Sequence, residues 1–462
     1  MKPYRMPLVA SVRLPAVVIT LAMMTSCHSR GPICLTADCI PYALEGTLSG
    51  LVGSNLYVSQ TPGQLPAAFS GTAANGTQVA FGVGYFNAPY NLTIVRQPTS
   101  PAQTCVLTNG SGPAGLSAVS NIVVTCTTNP PRFAYVANRG SNDISAYSVD
   151  TATGTLAPMV GSPFAAGNFP VAIAVDQTGH FAYVVNQMDA TLSAFSIDRD
   201  SGALNEVAGS PFATGLSPTS VAIDPSSSFV YVANGGAASV SAYAITASGS
   251  LTEITGSPYA AGNSPSSVAV DPVGVYVYVT NKADGTFSGF GIQEGAGNLM
   301  VEFGSPFAAG LGPQAVATDP FGIFVYVANG GLNSLSALAG LGTGNVIEIG
   351  SSPYGTGKMP YSIGMDPLNR FVYVANQTSN NISGFLVRNG GTLAALANSP
   401  FAAGADPSSV AVDPTGMFTY VVNSGSGTVS VYAIDAVSGA LSPISASPFA
   451  TGTQPAAIAL SD

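Results

Sequence analysis

Tyr278-Val279-Thr280-Asn281 stands inside a chain of 462 residues, and its pattern Tyr-Val-x-Asn occurs seven times, ending at Asn138, Asn186, Asn234, Asn281, Asn329, Asn376 and Asn423. The copies lie 48, 48, 47, 48, 47 and 47 residues apart. Two further elements keep the same period. Ser-Pro-Phe/Tyr also occurs seven times, with its prolines at Pro163, Pro211, Pro258, Pro306, Pro353, Pro400 and Pro448. An apolar run ending in Asp gives Asp176, Asp224, Asp271, Asp319, Asp366 and Asp413. Three independent phases with one period define a repeat architecture.

Working outward from the tetrapeptide, each period reads as four strands. Strand A is the run Val171–Asp176, strand B is Phe181–Asn186, strand C alternates over Leu192–Ile197, and a short polar strand D covers Leu204–Val207. A and B are nearly continuous apolar runs, as strands buried on both faces should be. Four-stranded units that cannot bury their faces alone are propeller blades. The first repeat starts in strand B at Phe133, and the chain ends in an unpartnered strand A, Pro455–Leu460. The spacing therefore predicts an all-β, seven-bladed β-propeller over residues 131–462, with its C-terminal strand closing the first blade. Closure removes edges that would otherwise invite association, and a monomer is expected. Blade five departs from the pattern: Ser334–Val346 is rich in Gly and Leu and lacks the usual turn Asp.

Tyr278-Val279-Thr280-Asn281 and its six near-copies resemble the YVTN β-propeller repeat family. The architecture is similar to the lactonase-type seven-bladed propellers, which include 6-phosphogluconolactonase and muconate-lactonising enzymes. That resemblance implies a central pocket and, as one function, lactone hydrolysis. A propeller is a scaffold reused for many functions, so the activity has to be argued from the site.

The N-terminal residues differ from the rest. Lys2, Arg5 and Arg13 precede the apolar run Leu14–Met24 and then Thr25-Ser26-Cys27, the layout of a secretory signal peptide over residues 1–26. Cys27 after small residues resembles a bacterial lipobox, with Met24 where Leu is usual; the alternative is an ordinary secreted protein. This predicts an exported lipoprotein, in the periplasm or at the cell surface, touching the membrane only through its lipid anchor. The five cysteines are Cys27, Cys34, Cys39, Cys105 and Cys126. One acylated Cys plus disulfides Cys34–Cys39 and Cys105–Cys126 accounts for all of them in an oxidising compartment. A metal site is the alternative for the last four, but the only histidine near any of them is His28, six residues before Cys34, which gives it little weight.

After a tether over 27–41, residues 42–128 show turn signals every few residues between short apolar runs, as in a small antiparallel β-sandwich. This stretch is similar to the small Ig-like modules that precede propellers in exported proteins. Asn129-Pro130-Pro131 reads as a hinge.

Only 7% of residues are charged, with 12 basic against 22 acidic and the basic ones scattered singly. That excludes the electrostatic footprint of a nucleic-acid binder. There is no Gly-rich phosphate loop, nucleophile elbow or Cys–His arrangement, so no cofactor or metal is expected. Asp198-Arg199-Asp200-Ser201-Gly202 looks like the start of a calcium loop, but its parallels at Asp150 and Asp435 make it a repeated hairpin turn.

Alternation puts the B–C and D–A loops on one face of the disc and the A–B and C–D loops on the other. Before their terminal Asp, the strand A runs read as Ala, Val, Ile, Ser, Thr, Gly and Met, a channel wall without His, Arg, Lys or Glu. The weak catalytic candidates are His180 with Asp176 in an A–B turn, and Arg139 with Asp143 and Asp189. Arg139, Asp143, Asp189, Lys282, Asp284, Lys358 and Asp406 form the candidate ligand-binding face. Glu206, Glu253, Glu302 and Glu348 fall on strand D, and Glu294 in a C–D turn. The repeated asparagines are read as starting the B–C turns, where Asn tolerates left-handed backbone. Lacking an acid–base set, the wall favours a non-enzymatic scaffold that binds a protein or glycan partner through its loops. The lactone hydrolase is the alternative.

Overall fold

The computed structural model describes residues 41–52, 56–60, 67–69, 76–85, 89–98, 103–113, 118–129, 132–339 and 346–461. The leader, Cys27, the pair Cys34–Cys39, the tether up to residue 40, Pro130-Pro131 and residues 340–345 of blade five lie outside the described residues. The chain divides into two compact units.

The first unit holds two four-stranded sheets. One runs in the order Thr77–Tyr85, Pro41–Ser49, Val119–Thr128, Gln103–Thr108, and the other Ala67–Phe69, Leu56–Gln60, Tyr90–Arg96, Ser111–Gly112. Leu44, Val58, Phe69, Phe81, Leu92 and Val124 from both sheets form one buried core. The expectation of a purely antiparallel arrangement is corrected: Pro41–Ser49 and Val119–Thr128 pair in parallel. These are the unit's first and last strands in sequence and the two central strands of their sheet, and the strands between them are shared out over both sheets.

Cys105 and Cys126 are disulfide-bonded across adjacent strands, 21 residues apart in sequence. A bridge of this span typically stabilises by about 3 kcal/mol. Replacing both cysteines by Ser should lower the stability of this unit by about that amount, read as a denaturation-midpoint shift. Free thiols at both positions in peptides mapped without reductant would refute the pairing.

The second unit is built of seven sheets of one plan. In blade two the order is Pro170–Val175, Phe181–Asn186, Thr191–Ile197, Leu204–Glu206, which are strands A to D. In blade one, Pro455–Ser461 supplies strand A, with Pro455 opposite Asn138 and Ser461 opposite Phe133. The predicted closure is present.

The outermost strand differs from the expected single strand D. It is split in two, so that Leu204–Glu206 pairs with the end of strand C and Phe212–Ala213 with its start. The Ser-Pro-Phe/Tyr element makes the break, with a cis Ser-Pro bond in all seven blades. The serine hydroxyl then accepts the strand C amide that the break would leave unpaired, as Ser210 does for Ala194 and Ser447 for Val431. A buried amide without an acceptor is costly, which explains why Ser recurs there.

The Tyr-Val-x-Asn signature also resolves into bonds. Every signature Tyr is fully buried. In five blades its hydroxyl donates to a Gly carbonyl in the C–D turn of the following blade: Tyr135 to Gly202, Tyr183 to Gly249, Tyr231 to Gly297, Tyr326 to Gly391 and Tyr373 to Gly439. The Tyr therefore ties blade to blade. The Asn ties strands within a blade: Asn186 Nδ2 donates to Ser193 and Thr191, while its Oδ1 accepts from the Gly167 amide. It ends strand B and does not take left-handed backbone. That conformation falls four residues on, at positions such as Asn142, Ala190 and Asn380.

The terminal Asp of strand A closes the A–B turn. Asp224 Oδ1, for example, accepts the amides of Ser228 and Phe229. Of the glutamates expected on strand D, Glu206, Glu253 and Glu348 lie on it, whereas Glu302 follows its strand, Leu299–Val301. It occupies a position held by Val207, Ile254 and Ile349 in other blades, and it is half-buried while Val301 and Phe303 are exposed. In blade five the outer strand shortens to Ile347–Glu348.

Candidate functional site

A cavity of about 640 Å³ opens on the face formed by the B–C and D–A loops. Its size falls within the usual range for small-molecule pockets, about 300–1,000 Å³. Two features of every blade build it.

The first is a left-handed residue just before each strand A proline: Phe169, Ser217, Ser264, Gly312, Met359, Asp406 and Gln454. Left-handed backbone is unfavourable for side chains other than Gly and is held only by surrounding structure. Here the holding bond comes from the residue after each signature Asn, whose amide donates to the carbonyl of the left-handed residue in all seven blades, from Arg139 to Gln454 through Ser424 to Asp406. Two loops of each blade are thus locked together at the mouth. The residues after the asparagines include Arg139, Gln187 and Lys282, which line the cavity.

The second feature is the start of strand A, which supplies Val171, Thr219, Ser266, Gln314, Tyr361, Ser408 and Ala456 to the wall, followed one residue deeper by Ala172, Ser220, Ser267, Ala315, Ser362, Ser409 and Ala457. This corrects the expected wall composition, because Gln314 and Tyr361 also belong to it. Gly330 leaves the room that Gln314 fills: a Cβ there would lie 2.9 Å from Gln314 Cγ.

Two cations reach this cavity. Arg139 donates from Nη2 to Ser424 Oγ at 3.0 Å, and its guanidinium lies 5.8 Å from the Phe169 ring centre. Lys282 is exposed and belongs to blade four. No carboxylate or imidazole is among the described residues that line the cavity.

The other predicted site residues do not join it. Asp189 accepts the Asn168 amide and Nδ2, and Asp284 accepts those of Asn263, which holds both carboxyls below their usual range. Ser379 and Ser426 make the same amide clamp in their blades, so the acid is one solution to a loop-fastening task. Asp143 accepts Asn138 Nδ2, where Thr191 and Thr286 serve in other blades. Lys358 and Asp406 are exposed and lie outside the lining.

His180 stands on the opposite face, exposed, with Nδ1 2.7 Å from Thr178 Oγ1. Asp176 spends Oδ1 on the His180 and Phe181 amides and Oδ2 on the Thr178 hydroxyl, so no His–Asp dyad forms. The second end of the channel, a cavity of about 410 Å³, is lined by Asp176, Asp319, Asp413 and prolines. Burial pushes the Asp271, Asp319 and Asp413 carboxyls up, partly offset by backbone amides that donate to them. The described residues contain no group of three or more His, Cys, Asp or Glu that could hold a metal ion.

Sequence reasoning missed Phe169, Gln187, Gln314 and Tyr361. The signal was positional: each sits next to a repeated Asn or strand A proline, and Phe169, Gln314 and Tyr361 differ there from their counterparts, whereas Gln187 recurs as Gln377 in blade six.

The sequence matches the family described as "Lactonase, 7-bladed beta-propeller" over residues 100–219, 208–310, 302–404 and 362–459. The chain belongs to this family. Among solved structures, a 6-phosphogluconolactonase-like protein of Bacteroides uniformis is 19% identical with a TM-score of 0.64, covering 72% of this chain and 100% of its own. A Lactobacillus plantarum protein is 22% identical with a TM-score of 0.62, covering 72% and 100%. The periplasmic gluconolactonase of Pseudomonas aeruginosa is 19% identical with a TM-score of 0.61, covering 71% and 99%. At these identities the likeness establishes the fold. No curated protein matches the sequence. Family membership backs the lactonase alternative better than the scaffold reading first favoured from the bare channel wall.

Proposed function

We propose that the protein hydrolyses a lactone bound in the B–C/D–A mouth. The observation that supports this most is the pair Arg139 and Lys282 reaching a walled cavity otherwise lined by hydroxyl, amide and apolar side chains. Water adds to the lactone carbonyl carbon, the acyl–oxygen bond breaks, and a hydroxy acid leaves. Negative charge develops on the carbonyl oxygen, where a fixed guanidinium stabilises it, and the product carboxylate meets the same cation. Arg139 is suited to this because Ser424 and Phe169 hold it in place before substrate arrives. No carboxylate or imidazole stands in the described lining to act as a base, so the attacking water loses its proton to solvent and the leaving ring oxygen takes one up from solvent, and turnover rests on charge stabilisation and positioning. A phosphate dianion calls for clustered cations, whereas Arg139 and Lys282 come from blades one and four. An unphosphorylated lactone fits better, in keeping with the periplasmic gluconolactonase among the structural neighbours.

Hydrolysis of D-glucono-1,5-lactone, 6-phosphogluconolactone and an aliphatic lactone tests the reading. Arg139→Ala should lower kcat/KM about 100-fold, the usual effect of removing one oxyanion donor, while His180→Ala should match the unaltered protein. Rates at the spontaneous level, or loss with His180→Ala alone, would sink it. Binding of gluconate without turnover would return the protein to the scaffold class, with a glycan as partner.

The proposal includes export and anchoring through Cys27, supported by the leader-like N-terminal residues. A mature protein carrying two or three acyl chains stays on membranes, whereas one chain is marginal. Cys27→Ala should move the protein to the soluble fraction, and an unaltered protein already found there would refute anchoring.

A further inference from the structure

The polarity of the mouth is segregated around the ring. In blades three, four, six and seven, the two wall positions of strand A carry hydroxyls throughout, from Thr219 and Ser220 to Ser408 and Ser409. Blade five carries Gln314 and Ala315. Blades one and two carry only Ala456, Ala457, Val171 and Ala172, and they are neighbours in the ring, with the closing strand Pro455–Ser461 beside Pro170–Val175. Phe169 stands at the lip of the same two blades, with Arg139 over its ring. Met188, 72% exposed, follows Gln187 in the adjoining B–C turn and extends the apolar side outward.

This wall is not what the fold alone asks for. At three of the four blades whose deeper position is Ser, the hydroxyl accepts an amide from the next blade: Ser220 from Val268, Ser267 from Val316 and Ser362 from Val410. Ala172, Ala315 and Ala457 offer no such acceptor, and of these three blades only five keeps a polar neighbour, Gln314, so blades one and two alone present bare hydrocarbon at both positions. A sugar lactone carries hydroxyls around its whole ring, and the side facing these blades would lose water without gaining partners. A lactone with an alkyl substituent would not.

We infer that the preferred substrate is an amphipathic lactone whose alkyl substituent lies on the wall of Phe169, Val171, Ala172, Ala456 and Ala457. This rests on the lactone hydrolase reading and narrows its substrate class. The carbonyl faces Arg139 at the edge of the wall, and the ring oxygen and any hydroxyl face the Ser-rich arc. The fit is set by the substituent: each methylene in an apolar pocket changes selectivity by about 10–200-fold.

The test uses the full chain with δ-octalactone and D-glucono-1,5-lactone as substrates. Their products, 5-hydroxyoctanoate and gluconate, serve as calorimetric binding probes. The wall is altered by Val171→Thr with Ala457→Ser, residue types that Thr219, Ser220 and Ser409 already supply at equivalent places, so the fold accepts them. The unaltered protein should favour δ-octalactone in kcat/KM and 5-hydroxyoctanoate in binding by at least about tenfold, and the double variant should lower both ratios about tenfold. If no lactone is turned over but the binding preference is present and falls in the variant, hydrolysis is wrong and the amphipathic site stands. If gluconolactone is hydrolysed as well or better, or the ratios ignore the variant, the inference is overturned while the hydrolase reading survives.

Discussion

Removal of residues 453–462 should leave no folded propeller at all: the product should aggregate or be digested at protease levels the full chain resists. Pro455–Ser461 is strand A of blade one and runs antiparallel to Phe133–Asn138, from Pro455 opposite Asn138 to Ser461 opposite Phe133. Ile458 lies in a core with Ala134, Val136, Tyr420 and Val422, while Ala457 and Ala459 pack into the core shared with blade two. Burying one Ile is worth about 1.5–3 kcal/mol, and each strand-pair hydrogen bond adds about 0.5–1.5 kcal/mol. Summed over one strand, the loss rivals the whole stability of a typical domain, about 5–15 kcal/mol. The loss also opens the ring. Blades one and seven would then face water with apolar sides, and Phe133–Asn138 would become an unprotected edge. A truncated chain that melts within a few degrees of the full one, with the same protease resistance, would show that closure carries little of the stability.

How much of this was legible in the sequence depends on what each repeated residue does. The blade count and the closing strand were readable because Asn138 to Asn423 keep one period and because Pro455–Leu460 lacks a strand B after it. The split outer strand was not, since Ser-Pro-Phe reads as a loop until Ser210 is seen accepting the Ala194 amide. The site failed for a related reason. Charge drew the search to Asp143, Asp189 and Asp284, yet each fills a place that Ser or Thr fills in other blades, fastening loops. Arg139 and Lys282 came in with the same loop charges; what sets them apart in the structure is that they follow a signature Asn, where nothing in the scaffold calls for charge, and line the cavity. Phe169 and Tyr361 carry no charge and were not among the candidates. In a repeat protein, a residue type that merely varies among equivalents of equal hydrogen-bonding ability is structural. One that the other blades have no counterpart for is the better candidate.

The link between neighbouring blades supplies the second large effect: Gly249→Ala should destabilise the propeller by about 4 kcal/mol, far more than Gly295→Ala. Both glycines have positive φ, 80° at Gly249 and 72° at Gly295, so both substitutions incur the left-handed cost of about 1–2 kcal/mol. Their surroundings differ. A Cβ at Gly295 meets nothing within 4 Å, whereas at Gly249 it would lie 2.2 Å from Phe181 Cδ1. Phe181 begins strand B of the preceding blade, and its ring fills the space between the two blades. Relieving that overlap costs about 1–3 kcal/mol. It also pulls the Gly249 carbonyl off the Tyr183 hydroxyl, which now donates to it at 3.0 Å and is buried. A buried hydroxyl left without its partner costs about 1–3 kcal/mol more. Tyr183→Phe isolates that last contribution, because it removes the hydroxyl and keeps the ring. Denaturant unfolding of the three variants beside the unaltered protein separates backbone strain, overlap and lost bond. If Gly249→Ala and Gly295→Ala shift the midpoint equally, the C–D turn is not docked on the preceding blade. The signature Tyr would then be only a large core side chain.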